Sequence, residues 1–360
     1  MKKKFTEKEL EELHEQLIKG WINKIGNIEG FQKMWEIVEA NASYSFNSSH
    51  SLSVGLDSLY GAYLKANYPL EYYTVVLNNY EGDTERTVKL TEELKYFGIE
   101  LKQPKFRYAQ AGYSMDKETN TIYKGLSSIK FLNPTVSEQL YELKDNQYDD
   151  FTSLLIDIKE KTKCNSRQLD ILVKLDFFQE FGKRKKLLKI VEISNSIYGK
   201  KQFKKDKLLL CKEDIIRQFA STETDKIFKG VDSVGLMKYL EQMIPNEDIS
   251  IKEIVNAEIE FTGTCSLMTD ELPDYALIVT STDLTYSPKI KFLNPRTGNS
   301  EIIKISKKIF KNQPLTVGDV VICLGITEKH KKTKDKETGR WIDLPDTEYW
   351  MDDYKIEINN

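Results

Sequence analysis

The sequence predicts a multi-domain α+β protein that is helical over its first two thirds and ends in a small β-barrel. Three observations support this fold class. The chain has 360 residues, which is more than one hydrophobic core usually serves. Apolar residues recur at helical spacing up to about residue 250, and the last hundred residues alternate in the manner of strands.

Composition and targeting signals narrow the class of protein. Hydrophobic residues make up 40% and charged residues 30% of the chain, which is typical of a folded protein rather than a disordered one. The four cysteines lie far apart and suggest no disulfide framework, which favours a reducing compartment. No apolar run approaches the roughly 20 residues of a membrane helix, and the start lacks the apolar segment of a signal peptide. We therefore expect a cytoplasmic protein with no membrane partner.

Residues 1–105 are predicted to form a helical domain. Thr6-Glu-Lys-Glu9 has the spacing of a capping box and precedes apolar residues on one helical face. Similar spacing predicts further helices near residues 31–38, 52–63 and 70–79. Another helix is expected over residues 83–97, with Gly98 as its C-terminal cap.

The middle of the chain is predicted to hold a hairpin and then three short helices. The turn at residues 116–120 separates two short extended runs. Helices are expected over about 134–143, 150–161 and 166–175, and their tight connections are typical of helix-hairpin-helix units. We assign residues 106–182 to this region and residues 183–250 to a basic helical connector.

Residues 251–360 are predicted to form an OB-fold, a small barrel that often binds oligonucleotides. A helical turn over residues 307–314 interrupts the strand pattern in its middle. The pattern also fits other small barrels. The candidate strands are Ala257–Cys265, Tyr275–Ser281, Lys289–Leu293, Glu301–Ile305, Val320–Ile326 and Tyr349–Ile358.

Charge is uneven along the chain although the net charge is only −3. Residues 183–207 contain ten Lys and Arg against two acidic residues, and residues 329–340 contain six against two. Such segments attract phosphate backbones through counterion release. They are equally typical of solvated loops, and the composition leaves both interpretations open.

The sequence predicts neither catalytic residues nor a metal or cofactor site. The three His and four Cys show no metal-ligand spacing. A phosphate-binding loop ending in Lys-Ser/Thr and a Gly-x-Ser-x-Gly elbow are both absent. The acidic pairs Asp149-Asp150 and Asp352-Asp353 are adjacent, so on strands they would point to opposite faces rather than hold two metal ions together.

Several segments in a fixed order resemble the bacterial C-family replicative DNA polymerases, the alpha subunits of DNA polymerase III. The resemblance runs from about residue 20 to the end of the chain. It rests on Tyr44-Ser-Phe-Asn-Ser-Ser-His50, Ala62-Tyr-Leu-Lys-Ala-Asn-Tyr-Pro69, Glu71-Tyr-Tyr73, Leu94-Lys-Tyr-Phe-Gly-Ile99, Tyr123-Lys-Gly-Leu-Ser-Ser-Ile-Lys130, Asn165-Ser-Arg-Gln-Leu-Asp-Ile-Leu172 and Phe177-Phe178.

This resemblance implies the C-terminal portion of such a polymerase: fingers, helix-hairpin-helix region and OB-fold, without the palm that precedes the fingers in the family. The family activity is template-directed nucleotidyl transfer with magnesium, so the resemblance implies magnesium for the complete polymerase and no activity for this chain alone. The implied partners are primer–template DNA, single-stranded template, a palm-containing polymerase half and a sliding clamp. Gln168-Leu-Asp-Ile-Leu172 is superficially similar to a clamp-binding peptide, but its helical context favours a core segment.

The resemblance also assigns candidate site residues. Ser49, His50 and Lys65 match the nucleotide side of the fingers, while Ser48, Val54 and Leu59 depart from the family pattern. The turn Ile129-Lys-Phe-Leu-Asn133 lacks the Gly-x-Gly of the motif; Asn133 can supply the left-handed conformation, and a purely structural hairpin stays open. Asn165 or Ser166 can cap the helix after the second turn. The DNA-binding candidates are Lys130, Asn133, Asn165, Ser166, Arg167, Lys183, Arg184, Lys185, Tyr275, Lys289, Lys291, Phe292, Arg296 and Trp341.

Other interpretations stay open at this point. Each barrel aromatic, including Tyr286, also fits a packing role. The chain could be a stand-alone single-strand DNA-binding or replication accessory protein, which predicts that residues 1–105 are dispensable for binding. It could also be a module that docks onto a polymerase core or clamp, which predicts no salt-dependent DNA affinity.

Overall fold

The structure is a computed structural model that divides the chain into two compact units, Met1–Pro69 and Leu70–Asn360. This division falls inside the predicted 1–105 segment, and the other predicted boundaries stay predictions. Among the described helices, none is long and apolar enough to cross a membrane. The described residues are 7–42, 48–207, 212–334 and 340–357.

The first unit consists of helices, as predicted. Rings from α1 and α2 pack together: His14 lies 4.6 Å from Trp35, and Trp21 lies 6.0 Å from Phe31, between ring centroids. Gly30 precedes the second helix and has a φ of 78°, which glycine adopts without strain. The helices are α1 (Glu7–Ile25), α2 (Phe31–Ala42) and α3 (Ser48–Asn67).

The second unit contains the remaining helices and all described strands. Its helices are α4 (Pro69–Asn79), α5 (Thr84–Leu94), α6 (Pro134–Glu142), α7 (Phe151–Lys161), α8 (Ser166–Lys174), α9 (Arg184–Ile197), α10 (Glu213–Phe219), α11 (Ser233–Met243), α12 (Ile251–Thr262) and α13 (Lys307–Asn312). Its strands are β1 (Glu100–Lys102), β2 (Ser114–Asp116), β3 (Thr121–Tyr123), β4 (Gln202–Lys204), β5 (Thr222–Glu223), β6 (Ile227–Lys229), β7 (Ala276–Asp283), β8 (Lys289–Leu293), β9 (Ser300–Ile305), β10 (Val320–Lys334) and β11 (Trp341–Glu357).

The predicted hairpin and the helices before it form one small layer. β2 and β3 pair antiparallel, and β1 joins them parallel to β3. Asp83 caps the start of α5, and Gly98 takes the left-handed conformation after it, as predicted. A shared core that includes Tyr73, Leu77 and Ile122 holds α4, α5 and this sheet together.

The helix-hairpin-helix region encloses the largest core of the second unit. The predicted helices α6, α7 and α8 are all present. Their cores include Leu140, Leu155, Leu172 and Phe178, all fully buried. Leu187 of α9 and two residues of α12 join the same core, so the region is completed by segments that follow it in the chain.

The connector predicted as helical also contains a small sheet. β4 and β5 both pair antiparallel with β6. Phe228 of β6 is fully buried and packs with residues of α9, α10 and α11. The strands are two or three residues long, too short to produce the alternation by which a strand is recognised in a sequence.

Five strands close into the predicted OB-like barrel in the order β10-β11-β9-β8-β7. β9 runs parallel to β11, whereas the other neighbours are antiparallel. α13 lies in the chain between β9 and β10, where a helical turn was expected. Five of the six predicted strands are thus confirmed, with β10 and β11 much longer than expected.

The sixth predicted strand, Ala257–Cys265, is wrong because most of that segment belongs to α12. Ser250 and Glu253 form a capping box at the start of α12, and Gly263 ends it in the left-handed conformation. Apolar and charged residues alternate in Ala257-Glu-Ile-Glu-Phe261 as they do in a strand, but the capping residues at both ends of α12 stabilise a helix. Ala257 packs into the hairpin core and Val255 into the barrel, so α12 joins the two.

Candidate nucleic-acid interface

The first hairpin turn, residues 129–133, presents two exposed residues on a fixed backbone. Lys130 and Phe131 are exposed, whereas the residues on either side of them are buried. The N–H of Lys130 donates a 2.9 Å hydrogen bond to the carbonyl of Phe261 at the end of α12. The turn is therefore attached to a helix more than a hundred residues later in the chain.

The left-handed residue of this turn is Phe131, with a φ of 72°, and the prediction for Asn133 is wrong. Asn133 is extended, because a following proline disfavours the helical conformation of the residue before it. Its side-chain oxygen accepts a 3.0 Å hydrogen bond from the N–H of Val136 and caps α6. That oxygen is engaged within the fold.

The second hairpin turn, residues 162–165, ends in a complete capping box. The side chain of Asn165 accepts the N–H of Gln168 at 3.0 Å, and the side chain of Gln168 accepts the N–H of Asn165 at 3.0 Å. Asn165 thus caps α8 as predicted. Ser166 and Arg167 are exposed in the first turn of α8, where they are accessible to a ligand.

Three contacts link the two hairpin turns through the helices that follow them. Gln168 donates its side-chain amide to the carbonyl of Phe131 at 2.9 Å. The guanidinium carbon of Arg167 lies 3.7 Å from the ring centroid of Phe131. The N–H of Lys163 donates to the side chain of Gln139 in α6 at 2.8 Å. We call the resulting exposed patch the hairpin surface, and its cations are Lys130, Lys163 and Arg167.

The three predicted contacts at the start of α9 differ in their surroundings. Arg184 is buried and forms a 2.7 Å ion pair with Asp248, so it supports the fold rather than facing DNA. Lys185 is exposed but pairs with Glu247 at 2.7 Å. Lys183 is exposed, and none of the described carboxylates pairs with it.

Strand β8 presents its two predicted lysines on the outside of the barrel. Lys289 and Lys291 point outward, because Ile290 and Phe292 alternate with them and are buried inside. Phe292 is only 1% exposed and belongs to the barrel core. A base could not stack on it without unfolding the barrel, so its packing role replaces the predicted DNA contact.

The lysines of β8 continue into an outward face that the sequence analysis did not find. In the β8–β9 register, Lys289 lies opposite Lys304 and Lys291 lies opposite Ile302. Lys304 in turn lies opposite Trp350 of β11, with its ammonium 5.5 Å from the indole ring. We call these five residues the barrel face. The alternation of β9 could have indicated Lys304, but only the parallel β9–β11 pairing brings Trp350 beside it.

Of the remaining predicted barrel residues, Tyr286 lies at one end of the β7–β8 pair, and Tyr275 and Arg296 lie at the other. Tyr286 is in the loop between β7 and β8 and is strongly exposed. Trp341 begins β11 and is 68% exposed. Trp341 pairs with Lys334 at the tip of the β10–β11 ribbon, nine residues and about 30 Å along β11 from Trp350. Tyr286 is three residues before Lys289, in the loop that in OB-folds borders the ligand-binding face. Tyr275 precedes β7, and Arg296 follows β8 and pairs with Asp274, so both lie at the opposite end of that strand pair from Tyr286.

The basic segment at residues 329–334 lies opposite acidic residues in the long β10–β11 ribbon. Lys332 lies opposite Asp343, with 3.5 Å between their charged atoms. Lys331 pairs with Asp346 at 3.7 Å. The acidic stretch after Trp341 therefore neutralises much of the basic run, which weakens the attraction for phosphate that the sequence suggested.

The predicted nucleotide-binding residues lie in α3 of the first unit. Residues 43–47 of the predicted motif, and the side chain of Ser49, lie outside the described part of the chain. His50 is in the first turn of α3 and Lys65 in the last. Fifteen residues of helix place them about 22 Å apart, so the structure does not bring them to one phosphate.

The segment Gln168–Leu172 is confirmed as part of the core. It lies in α8, where its buried residues include Leu169, Ile171 and Leu172. The same segment supplies the capping glutamine and the contact to the first hairpin turn. In this conformation its apolar side chains are not available to a sliding clamp.

Comparison with known proteins agrees with this architecture. A family model described as a helix-hairpin-helix motif matches residues 98–188, which include both hairpin turns. The DNA polymerase III alpha subunit of Aquifex aeolicus is 31% identical over 187 residues, and that of Campylobacter jejuni is 33% identical over 161. This chain is homologous to DNA polymerase III alpha subunits. The predicted resemblance is confirmed.

The homology covers only part of each relative. The matches span 51% and 44% of this chain but 16% and 13% of the Aquifex and Campylobacter alpha subunits. The alpha subunit of Mycobacterium leprae is 27% identical over 66% of this chain and 19% of its own length. The matched part of this chain thus spans about a sixth of the length of the Aquifex relative.

Proposed function

We propose that this chain grips primer–template DNA and single-stranded template during DNA synthesis, as the DNA-binding C-terminal part of a bacterial polymerase III alpha subunit. The observation that carries the proposal is that the helix-hairpin-helix match contains both turns of the hairpin surface. A second surface that carries lysines, the barrel face, lies in the same unit. Lys304 pairs there with Glu348 and Lys289 with Asp283, so Lys291 is its least neutralised cation.

The two surfaces suit different parts of the DNA. The hairpin surface offers cations and exposed turn backbone, which suit the phosphates of a duplex and position it without reading sequence. The barrel face combines lysines with Trp350, and Tyr286 is exposed in the loop that leads into β8. Lysines beside aromatic rings are typical of sites for single-stranded nucleic acid. In this proposal the duplex therefore lies on the hairpin surface and the template strand on the barrel face.

Nucleotidyl transfer is assigned in this proposal to a palm-containing polymerase half, which would supply the carboxylates that hold magnesium. Among the described residues, no group of three or more His, Cys, Asp or Glu could hold a metal ion. A sliding clamp is the other proposed partner, and the bacterial cytoplasm is the proposed location. His50 and Lys65 stay candidates for contacts on the nucleotide side of α3.

Fluorescence anisotropy with three DNAs tests the proposal: a primer–template with an overhang, the duplex alone and the single strand alone. We expect the tightest binding to the primer–template and a steep loss of affinity from about 50 to 200 mM salt. K130Q/K163Q should lower the salt slope on the duplex by about 1.8. K289Q/K291Q should lower the slope on the single strand by about 1.4.

The matched control is K307Q/K308Q, which removes the same charge from exposed positions of α13 outside both surfaces. It should leave both slopes unchanged. If the control lowers the slopes as much as the surface variants do, binding depends on total charge and the proposed surfaces are wrong. Absence of binding at low salt would contradict the DNA-gripping role and favour a module that docks onto a polymerase.

A stand-alone single-strand DNA-binding or accessory protein is the second candidate. The strong exposure of Tyr286 in the loop that leads into the barrel face favours it. The same titration separates the two functions, because an accessory protein should bind the single strand as tightly as the primer–template. A preference for the junction would support the polymerase function instead.

A further inference from the structure

Phe131 is an exposed aromatic residue whose backbone is in the left-handed conformation, which is unfavourable for a residue with a side chain. Its φ is 72°, and 50% of its surface is exposed at the tip of the first hairpin turn. A left-handed residue with a Cβ is strained, and glycine would relieve that strain. Burial of the ring does not compensate fully for the strain, since half of the residue remains in water.

The backbone on both sides of the ring is fixed by long-range hydrogen bonds. The N–H of Lys130 is bonded to the carbonyl of Phe261, and the carbonyl of Phe131 accepts the side-chain amide of Gln168, each at 2.9 Å. The first bond reaches α12 and the second reaches α8. The ring is therefore held at the surface by two separate helices.

The guanidinium of Arg167 lies against the ring of Phe131. The 3.7 Å separation between the guanidinium carbon and the ring centroid is that of direct stacking. The ring of Phe261 supports Phe131 from another side, with centroids 6.4 Å apart and planes at 72°. Arg167 is exposed, and no described carboxylate pairs with it. Its planar charge is thus positioned by an aromatic ring and remains open to a ligand.

We propose that Arg167, supported by Phe131, is a stacking site for the one unpaired DNA base that adjoins the duplex held on the hairpin surface. The site deepens the proposed function and rests on it. Unpaired bases stack on guanidinium planes and on aromatic rings. A phosphate needs only a cation, whereas a guanidinium plane held against an aromatic ring offers a flat surface that suits a base.

A scan with abasic nucleotides measures stacking separately from phosphate contacts, because an abasic site keeps its phosphate. The probe is the primer–template with a single abasic nucleotide moved along the overhang and across the primer end. Binding to the full chain is followed by anisotropy. For the wild-type protein we expect one position at which loss of the base weakens binding about 5-fold or more.

Three variants assign that effect to the two side chains. R167K keeps the charge but removes the plane, F131L keeps the apolar bulk but removes the ring, and F131G relieves the strained backbone. Each should abolish the abasic effect at that position. F131L should also keep the wild-type salt slope, because it changes no charge. Thermal unfolding checks that each variant is folded, and F131G remains informative if F131L is not.

Two results would overturn the stacking site. One is a wild-type scan with no sensitive position, and the other is an abasic effect that survives in R167K and F131G. If DNA binds with steep salt dependence and either result is found, the stacking site fails while the proposed function stands. If no DNA binds, both fail together.

Discussion

The backbone N–H of Lys130 donates a 2.9 Å hydrogen bond to the carbonyl of Phe261. This bond joins the first hairpin turn to the C-terminal end of α12. Because Val255 of the same helix packs against the barrel, α12 links the hairpin core to the barrel within the second unit. This helix therefore helps to set the relative placement of the two proposed DNA surfaces.

Truncation of Phe261 should loosen the first hairpin turn. Phe261 is buried in the hairpin core and supports the ring of Phe131. F261A should lower the free energy of unfolding by about 3 kcal/mol, because it leaves a cavity. Hydrogen exchange of the peptide that contains Lys130 should become faster. F310A is a similar truncation of a partly buried residue in the barrel, and it should not accelerate exchange of the Lys130 peptide. Equal acceleration in both variants would contradict the link between Phe261 and the first hairpin turn.

Gly125 should not tolerate a side chain. A Cβ at this position would lie 2.5 Å from the carbonyl oxygen of Ala111 and 2.6 Å from the Cα of Gly112, both backbone atoms that cannot rotate away. G125A should therefore destabilise the second unit by about 3 kcal/mol, measured by denaturant unfolding. At Gly325 the nearest atom would be 3.7 Å away, so G325A should change stability by less than about 0.5 kcal/mol. A neutral G125A would disprove this close backbone contact.

Removal of the acidic partners in the β10–β11 ribbon should increase DNA affinity. In D343N/D346N the two paired lysines lose their neutralising carboxylates and become available to phosphates. The salt slope on single-stranded DNA should rise by up to about 1.4. D225N/E118Q makes the same charge change at exposed residues elsewhere and should leave the slope as it is. An equal rise in this control would mean that net charge, not the ribbon, sets the affinity.

Acid should weaken the barrel partly through Glu348. Burial alone would raise the pKa of Glu348, but hydrogen bonds from Lys304 and Trp350 hold that pKa below its usual value of 4.5. Glu348 therefore has a higher pKa in the unfolded chain than in the folded protein. Its contribution to stability is complete above about pH 4.5 and is lost as pH falls through the folded pKa. E348Q should lower the free energy of unfolding by about 1 kcal/mol at pH 7. The stability of this variant should also decrease less on acidification than that of the wild-type protein.

The control for Glu348 is Glu301, an exposed carboxylate on the neighbouring strand β9. E301Q should leave the acid dependence of unfolding as it is in the wild-type protein. Thermal unfolding followed from pH 7 to pH 3 measures both variants. If E348Q and the wild-type protein show the same loss of stability on acidification, the ion pair with Lys304 does not contribute to it.

Local sequence determined much of this architecture. Helical periodicity located the helices around both hairpin turns, and alternation located five barrel strands. Asn165 and Gly98 were assigned correctly as caps, because a cap depends on residues within one turn of the helix. The resemblance to polymerase III alpha subunits likewise rested on short motifs in order along the chain.

Only the tertiary structure decided which distant residues meet. In the sequence Lys331 and Lys332 belong to a basic segment, but strand pairing places Asp346 and Asp343 beside them and neutralises their charge. Trp350 reaches Lys304 through a parallel pairing that no local pattern specifies. The strain falls on Phe131 rather than Asn133 because Pro134 and two distant helices constrain the turn. Periodicity reports which face of an element is buried, whereas partners across the fold depend on the packing of all elements together.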